Sequence, residues 1–571
     1  MQPTFSPPTP PPTVCALLLV IEQQQGVIDR QKTRLEQLQL HLDELGSTHE
    51  RQLQTLQEQQ TQIDALKAEV ARLKQLPKKP KIRPSTLPKD DEAPDQDDRD
   101  DTDQSEKGEN DDAKGKPPKP RKRKKQLTIH QTQVIKPARL PAGSRLLGYE
   151  DYTVQDLLIQ PHNTRYRLAR YQTPDGKILI GVLPEALQGS HFGIILKSYI
   201  LYQYYHQRVT QPLILQQLTD WGTAISSGQI SRILTEDKED YHTEKDELLT
   251  AGINHSTFIH VDDTGSRHDG KNGYCTQIGN EAFAWFSSTA SKSRINFLEL
   301  LRGPAVDYTI NAAALAYMRT QKLPEAPLAA ITRCQGQTFE DEAAWKIQLQ
   351  QLKIKNKRHR RIATEGALLG TVVACGFPPD LVIISDDAGQ FNVLLHALCW
   401  VHAERVFQRI VPLNDRHTKA LDWVQTQIWE IYADLKRYKQ EPDPDLKTAI
   451  GAHFDELCRT QTSFATLNQA LKRLAQNKKE LLLVLERPDI PLHNNLSEND
   501  IREYVIKRKI SGSTRSENGR RCRDTFISLK KTCKKQKISF WDFLLDRIGL
   551  KNHIPYLPDL IAGKACLVPK S

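Results

Sequence analysis

Ile259-His260-Val261-Asp262-Asp263-Thr264 is an apolar run closed by two carboxylates. Branched and aromatic residues from Phe258 onward read as a buried strand. The pattern recurs at Val382-Ile383-Ile384-Ser385-Asp386-Asp387, and a third acidic signal, Asn494-Asn495-Leu496-Ser497-Glu498, sits in helical sequence. Two carboxylates at strand ends and a glutamate on a helix form the oxygen donor set with which a pair of hard cations can clamp a phosphodiester.

Each acid has a plainer reading as well. Neighbouring side chains on a strand face opposite sides, so one of Asp262 and Asp263 at most faces the site, and the other orients the following turn. Asp386 and Asp387 carry the same ambiguity, with Gly389 favouring a turn. Glu498 also suits a surface pair with Arg502 four residues on. Asn495, one turn before Glu498, is placed to hold a metal-bound water or a phosphate oxygen. Cys399 and His402 share a helix face at i,i+3. Zinc would need further ligands there, and a nucleophilic cysteine an orienting partner. Packing beside the carboxylates, with His402 near phosphate, fits better.

Working outward, residues 256–263 read as a strand ending in acid. Residues 274–278 and 281–288 read as two more strands, joined by the turn Gly279-Asn280. Residues 311–376 are mostly helical and include the basic run 353–361. Residues 381–386 form a strand, 394–410 a helix and 423–485 a long helical region. A helix at 496–506 precedes a basic loop at 507–523, and helices at 526–535 and 541–550 close the domain. Strands leading and helices following, with acids at strand ends, predict an α/β, RNase H-like core over 251–550, with helical inserts near 311–380 and 411–485 and a tail at 551–571.

Arg502, Lys507, Arg508, Lys509, Arg515, Arg520, Arg521 and Arg523 surround Ser511-Gly512-Ser513. Guanidinium groups around a flexible backbone suit a line of phosphates. Upstream, residues 209–236 read as a helix-turn-helix: a first helix at 212–221, a turn at Gly222, and a second helix capped by Ser226 with Gln229. Gln229, Ser231 and Arg232 on that second helix could enter a major groove. These elements place a DNA-binding region at 127–250, which also holds a small β-element at 165–171 and 177–183.

The N-terminal part differs. Residues 1–13 are proline-rich. Ile28, Leu35, Leu42, Leu56, Ile63 and Val70 keep one seven-residue grid, and Leu38, Leu45, Leu66 and Leu73 keep its partner, predicting a coiled coil over 14–76 that joins copies of the chain. Residues 77–126 are a charged linker too polar to fold. Net charge is +10 over 571 residues, with −11 in residues 90–112 and so +21 elsewhere. A basic body favours a polyanionic partner, double-stranded DNA foremost. Nine scattered cysteines without a C-x-x-C suit a reducing cytoplasm, and no segment reads as a membrane span or export signal.

His260-Val261-Asp262-Asp263-Thr264-Gly265, Ser385-Asp386, Cys399-x-x-His402, and Asn494-Asn495-x-x-Glu498 followed by Arg508-Lys509-Ile510-Ser511-Gly512-x-Thr514-Arg515-Ser516 resemble the transposases of the insertion sequence sixty-six family. The likeness spans roughly 199–550. It implies an RNase H-like fold with the catalytic, metal-binding triad Asp262, Asp386 and Glu498 and two Mg²⁺ (or Mn²⁺) ions. The implied activity cleaves the ends of an insertion sequence and joins the freed 3′-hydroxyl to target DNA, in the bacterial cytoplasm at the nucleoid. Accessory proteins of the same element are possible partners. Many relatives carry a zinc-binding segment before the helix-turn-helix. This chain has no cysteine between Cys15 and Cys275, so no zinc ribbon is expected. The alternative is a transposase-derived coiled-coil protein that binds DNA without catalysis.

Overall fold

The computed structural model describes residues 128–564, apart from 137–138, 140–143 and 148, together with Arg34 and Gln37. The chain separates into Met1–Glu92 and Ala93–Ser571. The expected proline-rich start, coiled coil and linker lie outside the described residues but for Arg34 and Gln37.

Residues 149–183 hold little regular structure. Two three-residue strands, β1 (Arg170–Gln172) and β2 (Ile178–Ile180), pair antiparallel. The β-element is shorter than its sequence suggests, because an isolated two-stranded ribbon buries too little to extend. Large apolar side chains such as Tyr152, Leu157 and Leu158 meet solvent in this segment.

Helix α1 (Ile194–Leu201) runs into a π-turn at Tyr202–His206. Helices α2 (Gln211–Asp220) and α3 (Ser227–Thr235) are joined through Gly222, whose φ of 79° only glycine adopts without strain. Ser226 and Gln229 form a reciprocal capping box at the start of α3. Ile214, Leu218, Ile230 and Leu234 are buried at this corner, together with Ile200 and Leu201 of α1. Helix α4 (Glu239–Asn254) leads to the sheet.

Five strands form the central mixed sheet: β3 (Phe258–His268), β4 (Lys271–Gly279), β5 (Ala284–Thr289), β8 (Val382–Ser385) and β9 (Leu395–Leu398), in the order β5-β4-β3-β8-β9. The first three strands are antiparallel, and β8 and β9 run parallel to β3. Two expectations change. The strand holding Asp262 does not stop at the acids but continues to His268, because β4 pairs with it throughout. Residues 395–398, expected to be helical, form β9. The run Leu-His-Ala-Leu is too short for its periodicity to separate strand from helix.

Between β5 and β8 lie α5 (Arg294–Arg302), a two-residue pair β6 (Tyr308–Thr309) and β7 (Thr338–Phe339), and helices α6 (Ala312–Thr320), α7 (Glu325–Thr332), α8 (Glu342–Gln351) and α9 (Lys357–Ala374). Trp345 is buried here and stacks on Tyr308, 6.1 Å between ring centroids. After β9, α10 (Trp400–Gln408) precedes a second helical group, α11 (Asp415–Gln440), α12 (Pro444–Arg459), α13 (Ala465–Gln476) and α14 (Lys478–Leu481). Trp400 ties that group to the sheet by donating from Nε1 to the Leu481 carbonyl at 2.9 Å.

Helices α15 (Asn495–Ser511) and α16 (Glu517–Lys535) cover one face of the sheet, followed by α17 (Phe540–Ile548) and α18 (Leu557–Ile561). Cys275, Ala284 and Phe286 from the strands meet Ile501, Tyr504 and Ile527 from these helices. The basic stretch 507–523 is therefore not one loop: Lys507 to Ser511 finish α15, and Arg520, Arg521 and Arg523 lie on α16. Ion pairs join the two helices, Asp500 to Lys531 and Lys535, and Glu503 to Lys530 and Lys531. Burial works against the Glu503 charge, yet these lysines and Arg208 hold its carboxyl down to about 2.

Candidate active site

Strand alternation decides which acid faces α15. Ile259 and Val261 point into the large core on one side of the sheet. His260 and Asp262 therefore share the other face. On that face His260 Nδ1 lies 2.8 Å from Asn494 Oδ1. Asn494 Nδ2 donates to the Val261 carbonyl at 2.9 Å, and the Asn494 N–H donates to Cys399 Sγ at 3.1 Å. Gln277, opposite Asp262 on β4, hydrogen-bonds Ser497 and Asp500 of α15. The first turn of α15, which carries Glu498, is thus anchored to β3 and β4 through the residues that precede Asp262 and the one that pairs with it.

Asp386 joins from the neighbouring strand. The parallel register ends at His260↔Ile384, and Asp386 follows just beyond the end of β8, near enough for its charge to act on Asp262. Asp386 Oδ1 accepts from the Ala388 N–H at 3.1 Å, which turns the chain after β8. Asp387 is held instead by Arg473 of α13, whose Nε donates at 2.7 Å. Asp263 accepts from Thr276 Oγ1 and, at 2.9 Å, from Gln390 Nε2. Both Asp263 oxygens are spent on positioning neighbours, whereas among the described residues Asp262 accepts only the Asp263 N–H, at 2.7 Å.

Burial pushes the Asp262 carboxyl up to about 7, against the bond from the Asp263 N–H. The charges of Asp386, Asp263 and Glu498 push the same way. Glu498 is turned toward α10, its Oε1 3.4 Å from both His402 Nε2 and Arg405 Nη1. Burial keeps the His402 imidazole below its ordinary value, against the pull of Glu498 and Asp386. His402 Nδ1 is buried without a partner.

These acids feel one another's charge, yet among the described residues no group of three or more His, Cys, Asp or Glu side chains stands assembled around one point. The donor chemistry nonetheless fits a divalent cation: neighbouring carboxylates, one of them driven toward protonation by burial and then by like charge, are what a hard cation relieves. Cys399 does not join such a set. It is buried, and burial pushes its thiol up to about 11.

The remaining site residues fall into two groups. Arg232, Arg502, Lys509 and Arg515 are exposed. Lys507 is buried: its Nζ donates to the Tyr204 carbonyl at 2.9 Å and sits 3.6 Å from the centre of the Tyr204 ring. It is not available to a phosphate. Gln229 Oε1 is committed to the Ser226 N–H, Arg508 reaches back to the Gly265 carbonyl, and Arg520 pairs with Glu517. No Glu498–Arg502 pair forms, and Arg405 takes that place. Asn495 is half-buried at the start of α15. Sequence reasoning missed Asn494, Gln277, Gln390 and Arg405. Asn494 stood in the quoted motif, but nothing in its spacing distinguished it from Asn495.

A family model described as Transposase IS66 family matches residues 352–521. The match takes in Asp386, Cys399, His402, Glu498 and the basic residues up to Arg521, while Asp262 precedes it. An uncharacterised protein of Sinorhizobium fredii, y4jO, is 44% identical over 321 residues, which cover 56% of this chain and 100% of that protein.

Proposed function

This chain belongs to the IS66 transposase family, and we propose that it is a DDE-type DNA transposase that cleaves the ends of its element and joins the freed 3′-hydroxyl to target DNA. The observation that supports this reading is that Asn494 holds the start of the Glu498 helix to β3 beside Asp262, with Asp386 just past the end of the parallel neighbour β8 and both Asp386 and Glu498 acting on Asp262 through their charge. Three antiparallel strands followed by two parallel ones, with acids on the central strand and just beyond its parallel neighbour, support an RNase H-like core.

Asp262, Asp386 and Glu498 are the residues that would hold Mg²⁺ or Mn²⁺. When bound, the ions would activate the attacking oxygen and offset charge on the leaving one. The chain's own contribution is positional. Asp263, through Gln390, fixes the loop that carries Asp386. Asn494 fixes the start of α15. Glu498 must exchange Arg405 for a cation, and His402, beside Glu498, would meet a phosphate oxygen. Water first opens the phosphodiester, leaving a 3′-hydroxyl. That hydroxyl then attacks a target phosphodiester, so one bond forms as another breaks and no covalent protein intermediate is required.

Duplex DNA, both element ends and target, is the partner. Arg232, Arg502, Lys509 and Arg515 are the exposed contacts, and Lys507 is withdrawn from that set. A helix-turn-helix role for α2 and α3, joining of copies through the 14–76 coiled coil, and help from accessory proteins complete the reading. Among the described residues no helix is long and apolar enough to cross a membrane.

A second reading, a DNA-binding relic without catalysis, is favoured by the engagement of Glu498 with Arg405 and His402. A strand-transfer assay separates the two. Purified protein, a labelled element-end duplex with a free 3′-hydroxyl, plasmid target and Mg²⁺ should give joined products on a denaturing gel. Binding without any joined or nicked product supports the relic, and nicking without joining leaves a plain nuclease.

A further inference from the structure

The run Lys353-Ile354-Lys355-Asn356-Lys357-Arg358-His359-Arg360-Arg361 holds six lysines and arginines and no acid. Ile354 is buried and pins the segment, while Lys353, Lys355, Lys357, Arg358 and Arg361 are exposed. Asn356 caps α9 by accepting from the Arg358 and His359 N–H groups, so the cations crowd the first turn of an 18-residue helix. That is the end where the helix dipole disfavours positive charge. Only Arg361 finds a carboxylate among the described residues, Glu365 at 3.7 Å, and Glu365 also serves Arg294. Folding alone gives no reason to gather these charges here.

Their place in the fold does. Arg358 donates from Nη2 to the Gln321 carbonyl at 3.0 Å. Arg294, at the start of α5, donates to Tyr317 Oη at 2.9 Å, reaches Gln321 Oε1 at 3.5 Å, and hydrogen-bonds the Gly389 carbonyl in the loop after Asp386. Two side chains therefore connect the basic turn to the loop of the second acid. Strand β5 runs parallel to β3, so α5 begins at the sheet edge toward which the acids point. Exposed Lys292 lies on the same edge, between β5 and α5.

We propose that the basic turn opening α9, chiefly Lys353, Lys355 and Lys357 with Arg360, is a phosphate-binding rim that holds duplex DNA, whatever its sequence, along the sheet edge bearing Asp262 and Asp386. Flexible lysines in an exposed turn neutralise backbone phosphates and have no fixed geometry for reading bases. Arg358 is the anchor of the turn rather than its grip. The inference rests on the DNA-processing reading above and adds a surface to it.

The test is binding of the full chain to two duplexes of about three helical turns, one an element end and one of unrelated sequence, across a salt series. Replacing Lys353, Lys355 and Lys357 together with Gln should weaken both complexes about tenfold or more and lower the salt slope by roughly two to three. The Lys→Arg triple should restore both. Thermal unfolding reports whether the Gln triple still folds. If the parent binds and the Gln triple matches it in affinity and slope, the rim is refuted and the proposed function stands. If the parent binds neither duplex, both fall. Loss of binding to a peptide of residues 90–112, with duplex binding unchanged, would assign the turn to an acidic protein segment and overturn the proposal.

Discussion

Asn494 Nδ2 donates to the Val261 carbonyl at 2.9 Å, one residue before Asp262. The same side chain meets His260 Nδ1 through its oxygen, so one buried amide locks the start of α15 to β3. Asn494→Ala leaves a buried imidazole nitrogen and a buried carbonyl unpaired. That should cost about 1–3 kcal/mol of stability, seen in urea unfolding. Nicking by the fraction still folded should fall as well, since Glu498 loses its register over Asp262. Nicking at the parental rate by folded Asn494→Ala would show that this lock does not position the site.

Arg405 competes with any cation for Glu498. The pair is partly exposed and worth up to ~1 kcal/mol. Arg405→Gln should therefore lower the Mg²⁺ concentration for half-maximal nicking by a few-fold, roughly the factor that energy implies. A higher Mg²⁺ requirement in this variant would mean that Arg405 supports the site instead of masking it.

Lys507 and Lys509 are two residues apart and should behave oppositely. Burial, then Arg523, Lys530 and Arg208, push the Lys507 amine down to about 7. Lys507→Met should change unfolding stability and leave the salt dependence of DNA binding untouched. Lys509→Gln, at an exposed position, should leave stability alone and reduce the salt slope by about one. An unchanged slope for Lys509→Gln would remove that residue from the interface.

Acid should destabilise the fold through its buried histidines. His242 is 4% exposed, its Nδ1 is 2.7 Å from Thr525 Oγ1, and burial brings it down from 6.5 to about 4. The unfolded chain takes up that proton first. The contribution is therefore complete above about pH 6.5 and is lost as pH falls toward 4, at up to ~1.4 kcal/mol per pH unit. His260 and His396 shift the same way. His242→Asn, which keeps a donor toward Thr525, should flatten this limb of the stability–pH curve. A curve identical to the parent's would contradict it.

Much of this was legible in the chain. Runs such as Val382–Ser385 declared themselves as strands by branched residues alone, and the Ser226–Gln229 capping box marked the start of α3 from sequence. Carboxylates closing apolar runs pointed to the stretches of β3 and β8 beside which the candidate site lies, although β3 runs on past its acids to His268. The rest depended on tertiary pairing. Asp262 and Asp263 looked equivalent until β4 and α15 settled which face each occupies. The residues at 395–398 became a strand only because β8 offered an edge. Lys507 read as one more cation in a basic loop, since nothing local shows that α15 turns it onto Tyr204. Arg405 sits 93 residues from Glu498, and no spacing rule links them.

The most direct measurement is Mg²⁺-dependent nicking of a labelled element-end duplex by the parent, Asp262→Asn and Glu498→Gln, with duplex binding measured in parallel. The account predicts nicking by the parent alone, loss of about two orders of magnitude or more in each variant, and near-parental binding by all three. Parental nicking by either binding-competent variant would contradict the assignment of that carboxylate and, with it, the triad.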